Sequence, residues 1–137
     1  MEYRHMGKSG LQVPALSFGA GTFGGKGPLF SAWGNTDVEA AKKLIDICLE
    51  AGANMFDTAD VYSNGASEEV LGRALDELGV EREDVVIATK CFNGTHDRAR
   101  NRWGLSRKHI MAACDASLER LGTDYIDLYQ IHRFDYR

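Results

Sequence analysis

The sequence predicts an α/β fold built on parallel strands, as an open doubly wound sheet or a (β/α)₈ barrel. Two observations carry that expectation. Short apolar runs alternate strictly with amphipathic stretches of helical period, the pattern of repeated βα units. Three of the runs also end on an ionisable residue: Asn54-Met55-Phe56 on Asp57, Val85-Val86-Ile87-Ala88-Thr89 on Lys90, and Ile126-Asp127-Leu128-Tyr129-Gln130-Ile131 on His132. The C-terminal edge of parallel strands is where such folds carry their chemistry.

The elements follow in order. Tyr3-Arg4-His5-Met6 and Leu11-Gln12-Val13 flank Gly7-Lys8-Ser9-Gly10, which reads as a hairpin with a glycine-rich turn. Pro14 separates it from Ala15-Leu16-Ser17-Phe18-Gly19, the first short strand. A loop from Ala20 to Asn35, rich in glycine and aromatics, comes next, and loops of that length tend to be functional. Thr36-Asp37-Val38-Glu39 has the form of a capping box. Ala41, Leu44, Ile45, Cys48 and Leu49 then recur at helical spacing up to Gly52. After the Asp57 strand, Ser67 is placed to cap a second helix, with Glu68 and Glu69 at its positive end. Its stripe is Val70, Leu71, Ala74, Leu75 and Leu78, and Gly79 stops it. After the Lys90 strand and a polar loop over 93–105, Ser106 caps a third helix. Ile110, Ala113, Cys114, Ser117 and Leu121 line that helix, and Gly122 ends it before the His132 strand.

Composition narrows the class. The chain has 137 residues, 44% of them apolar and 26% charged, which suits one soluble domain of usual size. A net charge of −4 weighs against a nucleic-acid surface. The first residues have no apolar core behind them, so no signal peptide is expected, and no apolar run approaches the ~20 residues of a spanning helix. The three cysteines have no metal-like spacing and read as reduced thiols of a cytoplasmic protein. The histidines are scattered, and no metal site is expected.

Two glycine motifs fail on context. Gly19-Ala20-Gly21-Thr22-Phe23-Gly24 matches a dinucleotide fingerprint, but Gly25, Gly27 and Pro28 prevent the helix that must follow at once. No acidic residue ends the next strand at the required spacing. A phosphate-binding P-loop fails at Ala20, where its first glycine belongs, and at Gly27, where Ser or Thr belongs.

Strand parity suggests what Asp57, Lys90 and His132 share. If each points into a barrel or cleft, so do Met55 and Ala53, Ala88 and Val86, and Gln130, Leu128 and Ile126. That set is apolar except near one end. Tyr62 lies in the loop just after Asp57. A phenol with a pKa near ~10 is a poor acid at neutral pH, and a nearby ammonium favours its anion. Asp57 would keep Lys90 charged and in place, and His132 would hydrogen-bond a substrate oxygen. The group suits protonation of an oxygen that gains negative charge, as in a carbonyl being reduced. No side chain supplies a hydride, so a nicotinamide cofactor is expected.

On these residues the chain resembles the aldo-keto reductase superfamily. Phe56-Asp57-Thr58-Ala59-Asp60-Val61-Tyr62 with Ser67-Glu68-Glu69 and Leu71-Gly72 is similar to its first signature. Ser117-Leu118-Glu119-Arg120-Leu121-Gly122-Thr123-Asp124-Tyr125-Ile126-Asp127-Leu128, leading to His132, is similar to its second. The start through Leu16-Ser17-Phe18-Gly19 resembles the branch with bacterial reductases and potassium-channel β subunits. The resemblance implies the N-terminal half of a (β/α)₈ TIM barrel: a hairpin, then β-α-β-α-β-α-β, in one domain over 1–137 that is truncated after the fourth strand. It implies Tyr62 as general acid, Lys90 and Asp57 tuning it, and His132 orienting the carbonyl. It also implies a cofactor site at Gly21, Thr22, Phe23 and Asp57, and NADPH as the hydride source, with NADH open because the 2′-phosphate site would lie beyond residue 137.

Phe23, Phe30, Trp33, Phe92 and Trp103 lie in the loops at the catalytic end. They either wall a substrate pocket with Tyr62 and His132 or pack the loops. Arg98, Arg100 and Arg102 read as a solvated loop with phosphate binding as the alternative. The expected partner is a small carbonyl substrate, with no nucleic acid and no membrane. Unpaired strand edges leave a homo-oligomer open. The competing functions are a non-catalytic, cofactor-binding module of the channel-β type and an inactive fragment of the reductase.

Overall fold

The computed structural model describes residues 1–95 and 99–136. A hairpin of β1 (Tyr3–His5) and β2 (Gln12–Pro14) stands apart as its own antiparallel pair. The remaining strands are β3 (Phe18–Gly19), β4 (Met55–Asp57), β5 (Val86–Cys91) and β6 (Leu128–Ile131). They form one parallel sheet in sequence order, β3-β4-β5-β6. Helices α1 (Val38–Glu50), α2 (Ala66–Glu77) and α3 (Arg107–Leu121) make the crossovers. Among the described residues the outer edges of β3 and β6 are unpaired.

Parity sorts the strand side chains into two apolar layers. Phe56 and Ile87 face the helices and pack with Phe23, Ile45, Leu71 and Leu121. Met55, Val86 and Ala88 face the other way, with Leu128 and the hairpin residues Met6, Leu11 and Val13 against them. The hairpin therefore covers part of the sheet face opposite the helices. One expected inward residue departs from this scheme. Ile126 packs on the helix side, because β6 begins only at Leu128.

The helix stops are as expected, and two of the three starts are not. Gly52, Gly79 and Gly122 follow their helices at φ of +77°, +66° and +66°. There the amides of Ala53, Val80 and Thr123 return to Cys48, Leu75 and Leu118 carbonyls. Ser106 caps α3 by accepting from the His109 amide. The cap of α1 is Asp37 rather than Thr36: its Oδ1 accepts from Ala40 N at 2.9 Å. Thr36 is engaged with the preceding loop, bonding Thr22 and Gly24 through its backbone. Ser67 is not a cap either. Helix α2 begins at Ala66 behind Gly65, and Ser67 is fully buried inside it. Its hydroxyl donates to Ala20 O at 2.7 Å and so accepts from the Thr58 hydroxyl at 2.9 Å. Leu44 is exposed rather than part of the α1 stripe. Leu16 is also exposed, and the first parallel strand is only Phe18–Gly19.

Helices α2 and α3 touch backbone to backbone. A methyl at Gly72 would run into the Leu121 carbonyl. Beside that contact lies a buried charge network. Glu68 is fully buried and accepts from Arg120 Nε and from the Thr89 hydroxyl, each at 2.6 Å. Glu68 lies in the first turn of α2, as expected, and its burial adds these two partners.

Candidate active site

Three strands and one turn build the site. The backbone beyond β4 stays fastened to β5: Thr58 N donates to Ala88 O at 2.8 Å, and Asp60 N to Lys90 O at 3.1 Å. His132 follows β6 and donates its amide to Cys91 O at 3.0 Å. These bonds hold Asp57, Lys90 and His132 at one edge of the sheet. The chain then turns at Tyr62 through Ser63 and Asn64, both left-handed at φ +51° and +55°. Such non-glycine strain persists only where surroundings enforce it. Here Ser63 is buried and its hydroxyl donates to Phe23 O at 2.8 Å.

Lys90 Nζ donates to Asp57 Oδ2 at 2.6 Å and to Thr58 O at 2.7 Å. The same ammonium lies 5.1 Å from the centre of the Tyr62 ring. The His132 ring meets Tyr62 edge-on, with centroids 5.6 Å apart. Asp57, Tyr62, Lys90 and His132 are thus brought together as the sequence suggested. Burial first, then the charge of Lys90, pushes His132 below the ordinary imidazole value, against the pull of Asp57. The shift favours the neutral ring, and among the described residues its Nδ1 is buried without a partner.

Tyr62 and His132 open onto a cleft of about 600 Å³ that Phe30, Trp33, Asn93 and Arg133 also line. The Tyr62 ring packs on Phe30 and Trp33, at 5.8 and 6.3 Å between centroids. Gly21 lies against the Trp33 ring, and Thr22 is exposed beside it. Asp57 keeps 28% of its side chain accessible.

Other expected pocket residues fall elsewhere. Phe23 is 0% exposed and packs on Phe18 in the helix-side core. Its side chain is therefore not part of the cleft wall, and its carbonyl accepts from the Ser63 hydroxyl. Phe92 and Trp103 pair with each other at 6.0 Å. Trp103 lines a separate depression with Arg100 and Asp135, so neither joins the cleft. Arg100 and Arg102 are exposed. His96 and Arg98 lie outside the described residues.

Two features escaped the sequence reading. Gln130 donates from Nε2 to Asp57 Oδ1 at 3.0 Å; its inward parity was visible, its partner was not. Behind the site lies a smaller cavity of about 240 Å³, lined by Asp60, His109, Arg120 and the alanines of α3. Asp60 is 1% exposed, and among the described residues neither carboxyl oxygen has a partner at full hydrogen-bond geometry.

Parallel strands joined by helical crossovers, with a Tyr-Lys-Asp-His group at one edge of the sheet, define an α/β protein. Comparison narrows the class. The profile of the Aldo/keto reductase family matches residues 15–137, and the chain belongs to that family. It is 47% identical over 136 residues to a probable voltage-gated potassium channel subunit beta of Arabidopsis thaliana, covering 98% of this chain and 38% of that one. It is 42% identical over 151 residues to versiconal hemiacetal acetate reductase of Aspergillus parasiticus, covering 98% and 43%. An aldo-keto reductase from Bacillus halodurans, solved in its holo form, superposes with a TM-score of 0.74 at 36% identity, over 96% of this chain and 40% of that one. The chain therefore spans about two fifths of the length of these relatives, and its fold corresponds to part of a (β/α)₈ barrel.

Proposed function

We propose that this chain carries the catalytic edge of a cytoplasmic, NADPH-dependent reductase of small aldehydes or ketones, with Tyr62 as the general acid. The observation that carries the reading is the grouping of the Lys90–Asp57 pair with Tyr62 and His132, the last two of which line the cleft. Trp33, Gly21 and Thr22 offer a flat aromatic wall and accessible backbone at the same edge, which fits a nicotinamide ring and its ribose. When bound, the cofactor supplies the hydride. The chain's own residues do the rest. His132, neutral, hydrogen-bonds the carbonyl oxygen and orients it toward Tyr62. Tyr62 gives its proton to that oxygen as negative charge develops there. Lys90, with Asp57 as counterion, holds positive charge beside the phenol and supports the oxyanion left behind.

The test is aldehyde-dependent oxidation of NADPH by the purified protein, with NADH as the comparison. Tyr62→Phe is expected to lower turnover by about 10²–10⁴-fold while NADPH binding, followed by fluorescence, is kept. Equal turnover in the variant would remove Tyr62 from the acid role. A second reading is supported by the similarity to a channel β subunit: a cofactor-binding regulatory module whose tetrad senses redox state. Tight NADPH binding with negligible turnover across aldehydes and ketones would favour it.

A further inference from the structure

Asp57 has two carboxylate oxygens, and Lys90 uses one of them. Lys90 Nζ donates to Oδ2 at 2.6 Å, while Gln130 Nε2 donates to Oδ1 at 3.0 Å. Gln130 is the direct partner of Lys90 in the β5–β6 register. It also precedes His132, which follows directly on β6, by two residues. The carboxylate is therefore gripped from two neighbouring strands, one grip on each oxygen.

We propose that Gln130 is a positioning residue for the reductase chemistry, holding Asp57 so that only Oδ2 faces Lys90. The proposal rests on the reductase reading above and deepens it. A lysine ammonium has three N–H donors and no acceptor. Two of those of Lys90 are taken by Asp57 Oδ2 and Thr58 O. The third is left for the Tyr62 side, where the ring centre is 5.1 Å away. Without Gln130, Oδ1 is free to turn to Lys90 and take that third N–H. With both oxygens turned to the ammonium, the carboxylate charge lies closer to it and attracts it more strongly. The ammonium would then be drawn from Tyr62 and its field there cancelled more fully. Gln130 also fastens the strand that carries His132 to the Asp57–Lys90 pair, so two arms of the site share one register.

The experiment compares Gln130→Leu and Gln130→Glu with the wild-type protein in NADPH-dependent aldehyde reduction across pH. In both variants kcat is expected to fall about tenfold, with the KM for aldehyde and the affinity for NADPH nearly unchanged. The alkaline fall-off of kcat, where the general acid loses its proton, moves to higher pH, further in Gln130→Glu because a second carboxylate adds its charge. A residue that merely supports the sheet would lower activity evenly and leave the fall-off where it is, and that result overturns the proposal. A crystal structure of Gln130→Leu gives a readout that does not need turnover: Asp57 is expected to rotate both oxygens onto Lys90. An Asp57 that keeps its orientation also overturns the proposal. A wild-type protein that reduces no carbonyl defeats the reductase reading, and the orientation of Asp57 in the variant still decides the positioning role.

Discussion

Asp60→Asn is expected to remove a pH-dependent loss of stability. Asp60 is buried near Glu68, a second carboxylate that already holds the Arg120 guanidinium. Burial first, and the charge of Glu68 second, pushes the Asp60 carboxyl from 3.8 up to about 7. The Val61 amide, Arg120 and Lys90 pull weakly the other way. Between those two values the folded protein keeps a proton that the unfolded chain releases. Stability contributed by this group therefore falls as pH rises through the window, and the loss is complete above about pH 7. At about 1.36 kcal/mol per pH unit, the loss between about pH 5 and pH 8 is roughly 2–3 kcal/mol. Urea unfolding of both proteins at several pH values in that range measures it. The remaining titrating groups, His109 and His132 included, are common to both, so the difference between the two stability curves isolates Asp60. The variant should gain on the wild type by that amount as pH rises. Parallel curves would refute the reasoning.

Three further outcomes follow from the packing. Arg120→Met leaves Glu68 fully buried without its counterion and is expected to destabilise the fold by about 3–5 kcal/mol, read from chemical denaturation. Gly72→Ala drives a methyl into the Leu121 carbonyl; the expected loss is about 1–3 kcal/mol, with the thermal midpoint falling accordingly. Trp33→Ala removes a wall of the cleft but touches none of the Asp57–Lys90 bonds. Because the same ring packs on Tyr62 and walls the expected nicotinamide position, the substitution should raise both the KM for apolar aldehydes and the Kd for NADPH by about tenfold, and unchanged values of both would contradict its assignment to the wall.

The sequence by itself determined the alternation of strands and helices, the glycine stops and the ionisable residue at the end of each long strand. These are local properties: hydrophobic period, positive φ, and parity along a strand. From them Asp57, Tyr62, Lys90 and His132 were legible as a group before any distance was known. Which polar groups face one another across elements emerged only from the packing of the folded chain. Ser67 and Glu68 look like helix-start residues in the sequence, yet α2 packs so closely on the sheet and on α3 that both are buried. Their partners are Ala20, Thr58, Thr89 and Arg120. Phe23 looks like a pocket wall, yet its loop turns inward and the ring joins the core, because burying a phenyl there removes more apolar surface from water than lining an open cleft would. Gln130 is inward by parity alone, but its hold on Asp57 exists only because β6 lies in register beside β5, 73 residues on from that carboxylate. Strand period is written into a single segment; the pairing of two segments is set by how the helices between them pack.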